Sequence, residues 1–183
     1  MIEIIDKSKC CGCTACSNIC PKSAIYMVED SEGFLYPKVD KEKCINCGLC
    51  NKVCPIENKN ENNYNVRAFS VRIKDKQVLK KSTSGGFFTP LSKYVLKRNG
   101  FVFGVGYDNN LKVIHKQINH ENRINELIGS KYVQSYLGNT FEEVKKQLEK
   151  GILVLFSGVP CQLEGLKNYL GKEYLNLITL SID

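Results

Sequence analysis

The sequence lacks the features that would place the protein in a membrane or outside the cell. No apolar run reaches the roughly 18 residues that a membrane-spanning helix needs. The first six residues carry two acids, Glu3 and Asp6, where a secretory leader has a basic region and a long apolar segment. Ten cysteines without an export signal are typical of a reducing compartment. The sequence therefore predicts a cytoplasmic protein with no membrane span.

Excess positive charge is absent from the first third of the chain. Residues 1–57 contain 7 Lys and 8 Asp or Glu, whereas the remaining residues contain 19 Lys or Arg and 11 Asp or Glu. The second part is thus basic, but it lacks the alternation of basic and aromatic residues that single-stranded nucleic acid requires. We expect no nucleic-acid partner, and a phosphate-bearing cofactor or an anionic protein suits the charge better.

Cysteine is abundant and is arranged in two identical runs, each followed by proline. Both runs read C-x2-C-x2-C-x3-C-P, which is the signature of bacterial iron–sulfur ferredoxins, and in that class the fourth cysteine of each run ligates the other cluster. The predicted [4Fe-4S] ligand sets are Cys10, Cys13, Cys16 and Cys54 for one cluster, and Cys44, Cys47, Cys50 and Cys20 for the other.

Two other uses of these cysteines are less consistent with the spacing. Structural zinc sites usually take two separated CxxC pairs, whereas three cysteines crowd each run here. Disulfides belong to secreted proteins, and the sequence shows no secretory pattern. The segments before the runs are also alike, since residues 6–10 align with residues 40–44 at a constant offset. This repeat indicates a duplicated unit.

The order of predicted elements indicates a ferredoxin-like α+β domain over residues 1–57, a polar linker over 58–66, and an incomplete α/β domain over 67–183 with a mixed or parallel sheet. In the first domain, residues 24–28 and 34–39 flank an acidic turn and predict a hairpin. In the last, the predicted strands are 68–73, 101–107, 113–118, 152–156 and 175–182. The predicted helices are 87–98, 140–150 with a capping box at Thr140, and 161–170 with Pro160 before it.

Two glycine-containing loops begin predicted helices in the second domain. Backbone N–H groups at such helix starts favour anions, so cofactor phosphates are reasonable ligands, although most loops of this kind are only turns. The candidate cofactor-binding residues in these loops are Ser84, Gly85, Gly86, Ser157 and Gly158.

The combination of three blocks resembles a known family. Residues 84–88 (SGGFF), 129–135 (GSKYVQS) and 156–162 (FSGVPCQ) follow the ferredoxin runs in the order found in the coenzyme F-420 hydrogenase/dehydrogenase beta-subunit family, in its bacterial form with a fused N-terminal ferredoxin. The resemblance implies a flavoprotein that passes electrons between clusters, FAD and another acceptor, with Lys131 and Tyr132 facing the flavin. Members of that family continue through a further Cys-His-Gly-type segment, so we expect this sequence to be truncated.

Four single residues fall outside the cluster ligands. Cys11 has Ile45 as its counterpart in the second run, which indicates that it is not a ligand. Cys161, at a helix start, is interpreted as a reactive thiol, a ligand of a further cluster, or a small buried residue. His115 and His120 are interpreted as structural or solvated.

The sequence thus predicts an iron–sulfur electron-transfer protein, an oxidoreductase of the beta-subunit type or its electron-transfer subunit, whose partner is a redox protein or a flavin-linked donor or acceptor. Two alternatives are a non-enzymatic carrier or adaptor and a non-functional fragment of a longer enzyme. A flavin would convert the single-electron steps of clusters to two-electron chemistry.

Overall fold

The computed structural model describes residues 1–58 and 67–182. The predicted linker falls almost wholly on residues 59–66, outside the described residues. In the described part, no helix is both long and apolar enough to cross a bilayer.

The N-terminal unit is a short hairpin flanked by two short helices. Its elements are α1 (Ala15–Ile19), β1 (Ile25–Glu29), β2 (Leu35–Val39) and α2 (Leu49–Lys52). β1 and β2 pair antiparallel with Ile25 opposite Val39, which confirms the predicted hairpin. The Asp30 carboxylate accepts hydrogen bonds from the backbone N–H groups of Glu32 and Phe34, both at 3.0 Å, and so stabilises the turn between the strands.

The sequence repeat reappears in the backbone of the two cysteine runs. Gly12 and its counterpart Asn46 have φ of 62° and 54°, both in the left-handed region. Thr14 and its counterpart Gly48 are left-handed as well, with φ of 62° and 74°. The two runs therefore make the same turn, even though only one of the two residues in each pair is glycine.

Residues 67–182 form an α/β region with a mixed four-stranded sheet. Its helices are α3 (Lys76–Lys81), α4 (Phe88–Leu96), α5 (Thr140–Glu149) and α6 (Pro160–Leu170). Its strands are β3 (Phe101–Tyr107), β4 (Val113–Ile118), β5 (Val154–Gly158) and β6 (Leu177–Ser181). The strand order is β4-β3-β5-β6, with β3 antiparallel to β4 and parallel to β5, and β5 parallel to β6. The mixed sheet confirms the coarse fold prediction.

Every residue of β5 is buried, as expected for a strand covered on both faces. Phe103 and Phe156 face α5 and α6 on one side of the sheet. Val102 and Leu155 face α4 and a 3-10 turn at Glu121–Glu126 on the other side. The region is thus three layers, with the sheet in the middle.

Two expectations about single elements were wrong, and one helix was missed. Residues 68–73 form no strand, and α3, which follows them, was not predicted. Asp75 caps α3 by accepting hydrogen bonds from the backbone of Gln77 and Val78. Thr140 is the first residue of α5 and not its cap, because its hydroxyl donates to the Leu137 carbonyl oxygen. The strand prediction failed because alternating apolar residues cannot by themselves supply a neighbouring strand for pairing.

The N-terminal unit packs against the α5–α6 side of the sheet. Cys13, Ala15 and Val53 belong to the same apolar core as Phe103, Phe156 and the buried residues of α6. Among the described residues, three side chains join the units by hydrogen bonds, and one of them is the Asn168 amide, which donates to the Val53 carbonyl oxygen at 3.3 Å. The Asn18 amide donates to the Gly138 carbonyl at 2.9 Å, and the Gln134 amide oxygen accepts from the Leu35 backbone N–H at 2.9 Å.

Candidate metal centres and the motif cluster

The first group of cysteines lines a cavity between the two runs. Cys10, Cys13 and Cys16 contribute from the first run and Cys54 from the second, around about 320 Å³ of empty space. The rest of the wall is mostly apolar: Ile2, Ile4, Cys11, Gly12, Thr14, Met27, Pro37 and Ile56.

The second group lines a similar cavity of about 370 Å³. Cys44, Cys47 and Cys50 come from the second run and Cys20 from the first. Met1, Ile25, Val39 and Ile45 cover much of its wall. Each cavity therefore holds the first three motif cysteines of one run and the fourth motif cysteine of the other, which is the grouping that cross-ligation requires, and Cys11 also lines the first cavity. Ligation itself stays a prediction.

The donor set of both cavities fits a [4Fe-4S] cluster. Backbone N–H groups reach the sulfur atoms of both sets: Ile2 to Cys50 at 3.2 Å, Ala24 to Cys20 at 3.3 Å, and Gly12 to Cys10 at 3.5 Å. Such hydrogen bonds stabilise negative charge on thiolate ligands and tune the reduction potential of iron–sulfur clusters.

Burial raises the pKa of the Cys16 thiol to about 12 and also raises the pKa of Cys10. Bound iron would supply the positive charge that keeps such thiols deprotonated. Among residues 1–58 and 67–182, no three His, Cys, Asp or Glu side chains converge on a point suited to a single ion. The cysteines instead surround the two cavities described above.

The first cysteine run packs against the start of α6. Cys11 is half-buried against the shared core. Cys161 is the second residue of α6, one helical turn before Gly165. A Cβ added to Gly165 would lie 3.1 Å from Cys13 Sγ, so this face of α6 meets the first cysteine run. No motif or repeating pattern predicts the contact of α6 with the first cysteine run.

Residues 71–73 fill the space beside Gly85 and Gly86 in the loop before α4. A Cβ at Gly85 would lie 2.2 Å from the Val71 carbonyl oxygen, and one at Gly86 would lie 2.8 Å from Ile73 Cγ2. The Ile73 N–H donates to the Gly85 carbonyl at 2.8 Å. Close approach of residues 71–73 thus explains why both positions are glycine.

The block at 129–135 connects the other two blocks and the ferredoxin unit. The Ser130 hydroxyl donates to Thr83 Oγ1 at 3.1 Å, beside the first loop. The Lys131 amine donates to the carbonyl oxygens of Leu127 and Ile128, and the Tyr132 side chain is fully exposed. Gln134 reaches the first cysteine run, where a Cβ on Gly12 would lie 2.1 Å from its amide nitrogen.

A buried chain of hydrogen bonds links the second and third blocks through His115, a residue that the sequence analysis treated as structural or solvated. His115 Nε2 lies 3.2 Å from the Ser157 carbonyl oxygen, and Nδ1 lies 3.0 Å from Ser135 Oγ. The Gln162 amide donates to Ser135 Oγ at 3.0 Å, and its oxygen accepts from the Val159 N–H at 3.1 Å. Because a carbonyl only accepts, Nε2 carries the proton and Nδ1 accepts from the Ser135 hydroxyl.

This chain of bonds fixes the turn between β5 and α6. Burial lowers the pKa of His115 to about 4, so the ring is neutral at pH 7. The ring also stacks on Phe156, with centroids 5.3 Å apart. The geometry of residues 157–159 therefore depends on side chains from β4, the 129–135 block and α6.

The three blocks are neighbours, and their candidate residues lie outside the two cysteine cavities. None of Ser84, Gly85, Gly86, Lys131, Tyr132, Ser157, Gly158 or Cys161 lines either cysteine cavity. A third, open groove beside Cys10 and Cys11 takes only Gln134 from the blocks. The cofactor role of these residues stays a prediction.

Comparison with known proteins identifies the N-terminal region. Residues 9–58 match one family described as a 4Fe-4S dicluster domain, and residues 36–84 match a second family with the same description. The two matches overlap on the second cysteine run. No curated protein matches the chain. The N-terminal region of this chain is thus a ferredoxin-like 4Fe-4S dicluster region, which implies iron–sulfur electron transfer, and an α/β region with a mixed sheet follows it.

Proposed function

We propose that the protein holds two cross-ligated [4Fe-4S] clusters and transfers electrons between a redox partner protein and its own α/β region. The observation that carries the proposal is the composition of the two cavities, each with the first three motif cysteines of one run and the fourth motif cysteine of the other. Bound clusters would supply one-electron transfer. The chain's own residues hold the two sites apart and set their surroundings.

The surroundings of the two cavities differ in a way that supports a direction for electron flow. Cys13, in the first cavity, is buried against Gly165 of α6. In the second cavity, Cys47 is exposed and the Ile45 side chain beside it is 58% exposed. The first site therefore faces the α/β region through Cys13, and the second site has an exposed ligand, Cys47, that a partner can approach.

Cross-ligation predicts a specific pattern of iron loss in cysteine variants. The unaltered chain should bind about eight iron atoms, and Cys20→Ala should lose about four. Adding Cys44→Ala to Cys20→Ala should remove no more iron, because both residues serve one cluster. Adding Cys10→Ala to Cys20→Ala should instead remove the remaining iron, about four atoms, because Cys10 serves the other cluster. Iron and sulfide analysis of anaerobically purified or reconstituted protein measures these losses.

The opposite pattern would contradict the proposal. If each run held its own cluster, Cys20→Ala with Cys10→Ala would lose about four iron atoms and Cys20→Ala with Cys44→Ala about eight. Zinc in place of iron would exclude the electron-transfer role.

A second candidate function is an oxidoreductase of the coenzyme F-420 hydrogenase/dehydrogenase beta-subunit type, in which the clusters exchange electrons with a flavin. The supporting observation is that the three family-like blocks meet, through Ser130 with Thr83 and through Ser135 with Gln162. Flavin bands in the visible spectrum of the purified protein, with FAD released on denaturation, would favour this candidate. Cluster absorbance alone would favour a carrier or adaptor.

A further inference from the structure

The excess positive charge of the protein is concentrated in one segment. Residues 67–98 contain nine Lys or Arg and one acid, Asp75, which gives a formal charge of +8, whereas residues 99–183 contain nine Lys or Arg and nine Asp or Glu. We call residues 67–98 the basic segment. Its basic residues are Arg67, Arg72, Lys74, Lys76, Lys80, Lys81, Lys93, Lys97 and Arg98.

The fold leaves this charge exposed and without acidic partners. All nine basic residues are exposed, and the Asp75 carboxylate caps α3 by accepting hydrogen bonds from the backbone of Gln77 and Val78. Within residues 1–58 and 67–182, no ion pair joins a Lys or Arg of the basic segment to an acid. Because like charges repel one another, a bound anionic surface would stabilise the segment.

The basic segment lies on the side of the sheet that faces away from the N-terminal unit. α4 packs its buried residues Val95 and Leu96 on the sheet, opposite the face that meets α5, α6 and the first cysteine run. The exposed Lys93 and Lys97 are one turn apart on α4 and so share its outer face. The start of the segment folds back onto the start of α4, where the Ile73 N–H donates to the Gly85 carbonyl at 2.8 Å.

Apolar side chains are exposed among these charges. Phe69, Val71 and Phe87 are at least half accessible to solvent or close to it. Surfaces that bind other proteins combine aromatic residues at the centre with polar and charged residues around them. The composition of the basic segment therefore suits a protein partner with acidic residues.

Two other anionic partners fit the segment less well. Single-stranded nucleic acid needs free ring faces for stacking, but the Arg67 guanidinium lies 5.1 Å from the Phe69 ring centroid and that of Arg98 lies 3.7 Å from the Tyr94 centroid. One face of each ring is thus covered by the chain itself. A membrane surface takes up the apolar face of a helix, and that face of α4 is buried against the sheet.

We propose that the basic segment is a docking surface for an acidic electron-carrier protein, whose carboxylates pair with the exposed lysines. This assignment rests on the proposed function, because that function makes the partners of the chain redox proteins. Complementary charge raises the rate of encounter and fixes the orientation of the partner. The surface is separate from the exposed Cys47 of the second cavity, so the α/β region has a docking site of its own.

The experiment measures binding of oxidised flavodoxin, a carboxylate-rich electron carrier, to the full iron-loaded chain by anaerobic calorimetry. We expect the Kd to rise about tenfold or more when salt is raised from about 20 mM to about 200 mM, because ions screen the opposite charges. The double variant Lys93→Glu, Lys97→Glu should raise the Kd about tenfold at the lower salt concentration.

A matched control is available on the other side of the sheet. Lys146→Glu, Lys150→Glu changes the net charge by the same amount and also reverses two exposed lysines four residues apart, at the end of α5. This control should change the Kd by less than about threefold, because its charges are far from the docked partner. Thermal unfolding of both double variants checks that they are folded.

Several results would overturn the docking assignment. These are no binding of flavodoxin at the lower salt concentration, or equal losses in the α4 and α5 variants. Tighter binding of oligothymidylate or of phosphatidylserine vesicles at physiological salt, lost in the α4 variant, would assign the segment to nucleic acid or to a membrane instead. Iron content is measured on the same samples, so a chain without clusters that still binds flavodoxin contradicts only the proposed function.

Discussion

His115 shows how a single buried residue can set the geometry of a loop. Its neutral ring donates to the Ser157 carbonyl and accepts from Ser135, which in turn accepts from Gln162. Every polar atom of this chain of bonds has a partner, so protonating the ring at Nδ1 would turn the Ser135 hydroxyl away and leave its proton without an acceptor.

The neutral state of His115 predicts a dependence of stability on pH. Its pKa is lowered from 6.5 to about 4 in the folded protein, so the unfolded chain binds a proton that the folded chain does not. The free energy of unfolding should therefore fall as pH drops from about 6.5 to about 4, by up to about 3 kcal/mol. Urea titrations at several pH values measure the slope.

The control for this prediction is His115→Gln, which cannot titrate. The variant should be less stable at pH 7 because hydrogen bonds are lost, but its stability should change less between pH 6.5 and 4. An equal slope in the two proteins would show that other groups, including the acid lability of the clusters, cause the dependence.

Among the local elements, the two cysteine turns use the same left-handed backbone in different surroundings. A Cβ on Gly12 would lie 2.1 Å from the Gln134 amide nitrogen and 2.8 Å from the Leu35 carbonyl oxygen, whereas a Cβ on Gly48 would meet nothing within 4 Å. The φ angles, 62° and 74°, are similar, so the strain of a non-glycine residue is similar at both positions.

Replacing each glycine by alanine should separate strain from crowding. Gly48→Ala should cost about 1–2 kcal/mol from the left-handed backbone alone. Gly12→Ala should cost about 1–3 kcal/mol more, because the hairpin and Gln134 must move. Thermal unfolding of the two iron-loaded variants measures the difference. Equal losses would mean that the contact between Gln134 and the first run contributes little.

The sequence predicted helices and strands well where the pattern of residue types was long and the residues that stabilise the element lie near it in the chain. The hairpin, α6 and the buried strand β5 were all found, because alternation, proline placement and a continuous apolar run each have a local cause. Residues 68–73 were assigned wrongly because pairing depends on a distant partner. The region instead packs irregularly against Gly85 and Gly86.

On the scale of the whole molecule, the sequence predicted which cysteines line the same cavity. It did not predict which residues of the α/β region pack against those cysteines. The spacing of each run predicted which cysteines share a cavity, since no single turn surrounds a cluster. The contact of Cys13 with α6 depends on how the two units pack together, and no repeating pattern in the sequence encodes that packing. The shared core means that the state of the clusters and the stability of the α/β region are linked.

That link can be tested by removing the iron. Cys13, Ala15 and Val53 pack in one core with Leu163 and Leu166 of α6, whereas α4 packs on the opposite face of the sheet. Without clusters the two cysteine runs lose the bonds that hold them, and the surface they present to α6 should loosen. Hydrogen exchange in iron-free protein kept under reductant should therefore be faster in residues 160–170 than in the iron-loaded form, while residues 88–96 should change little. Unchanged protection in α6 would show that the two units are energetically independent in spite of their common core.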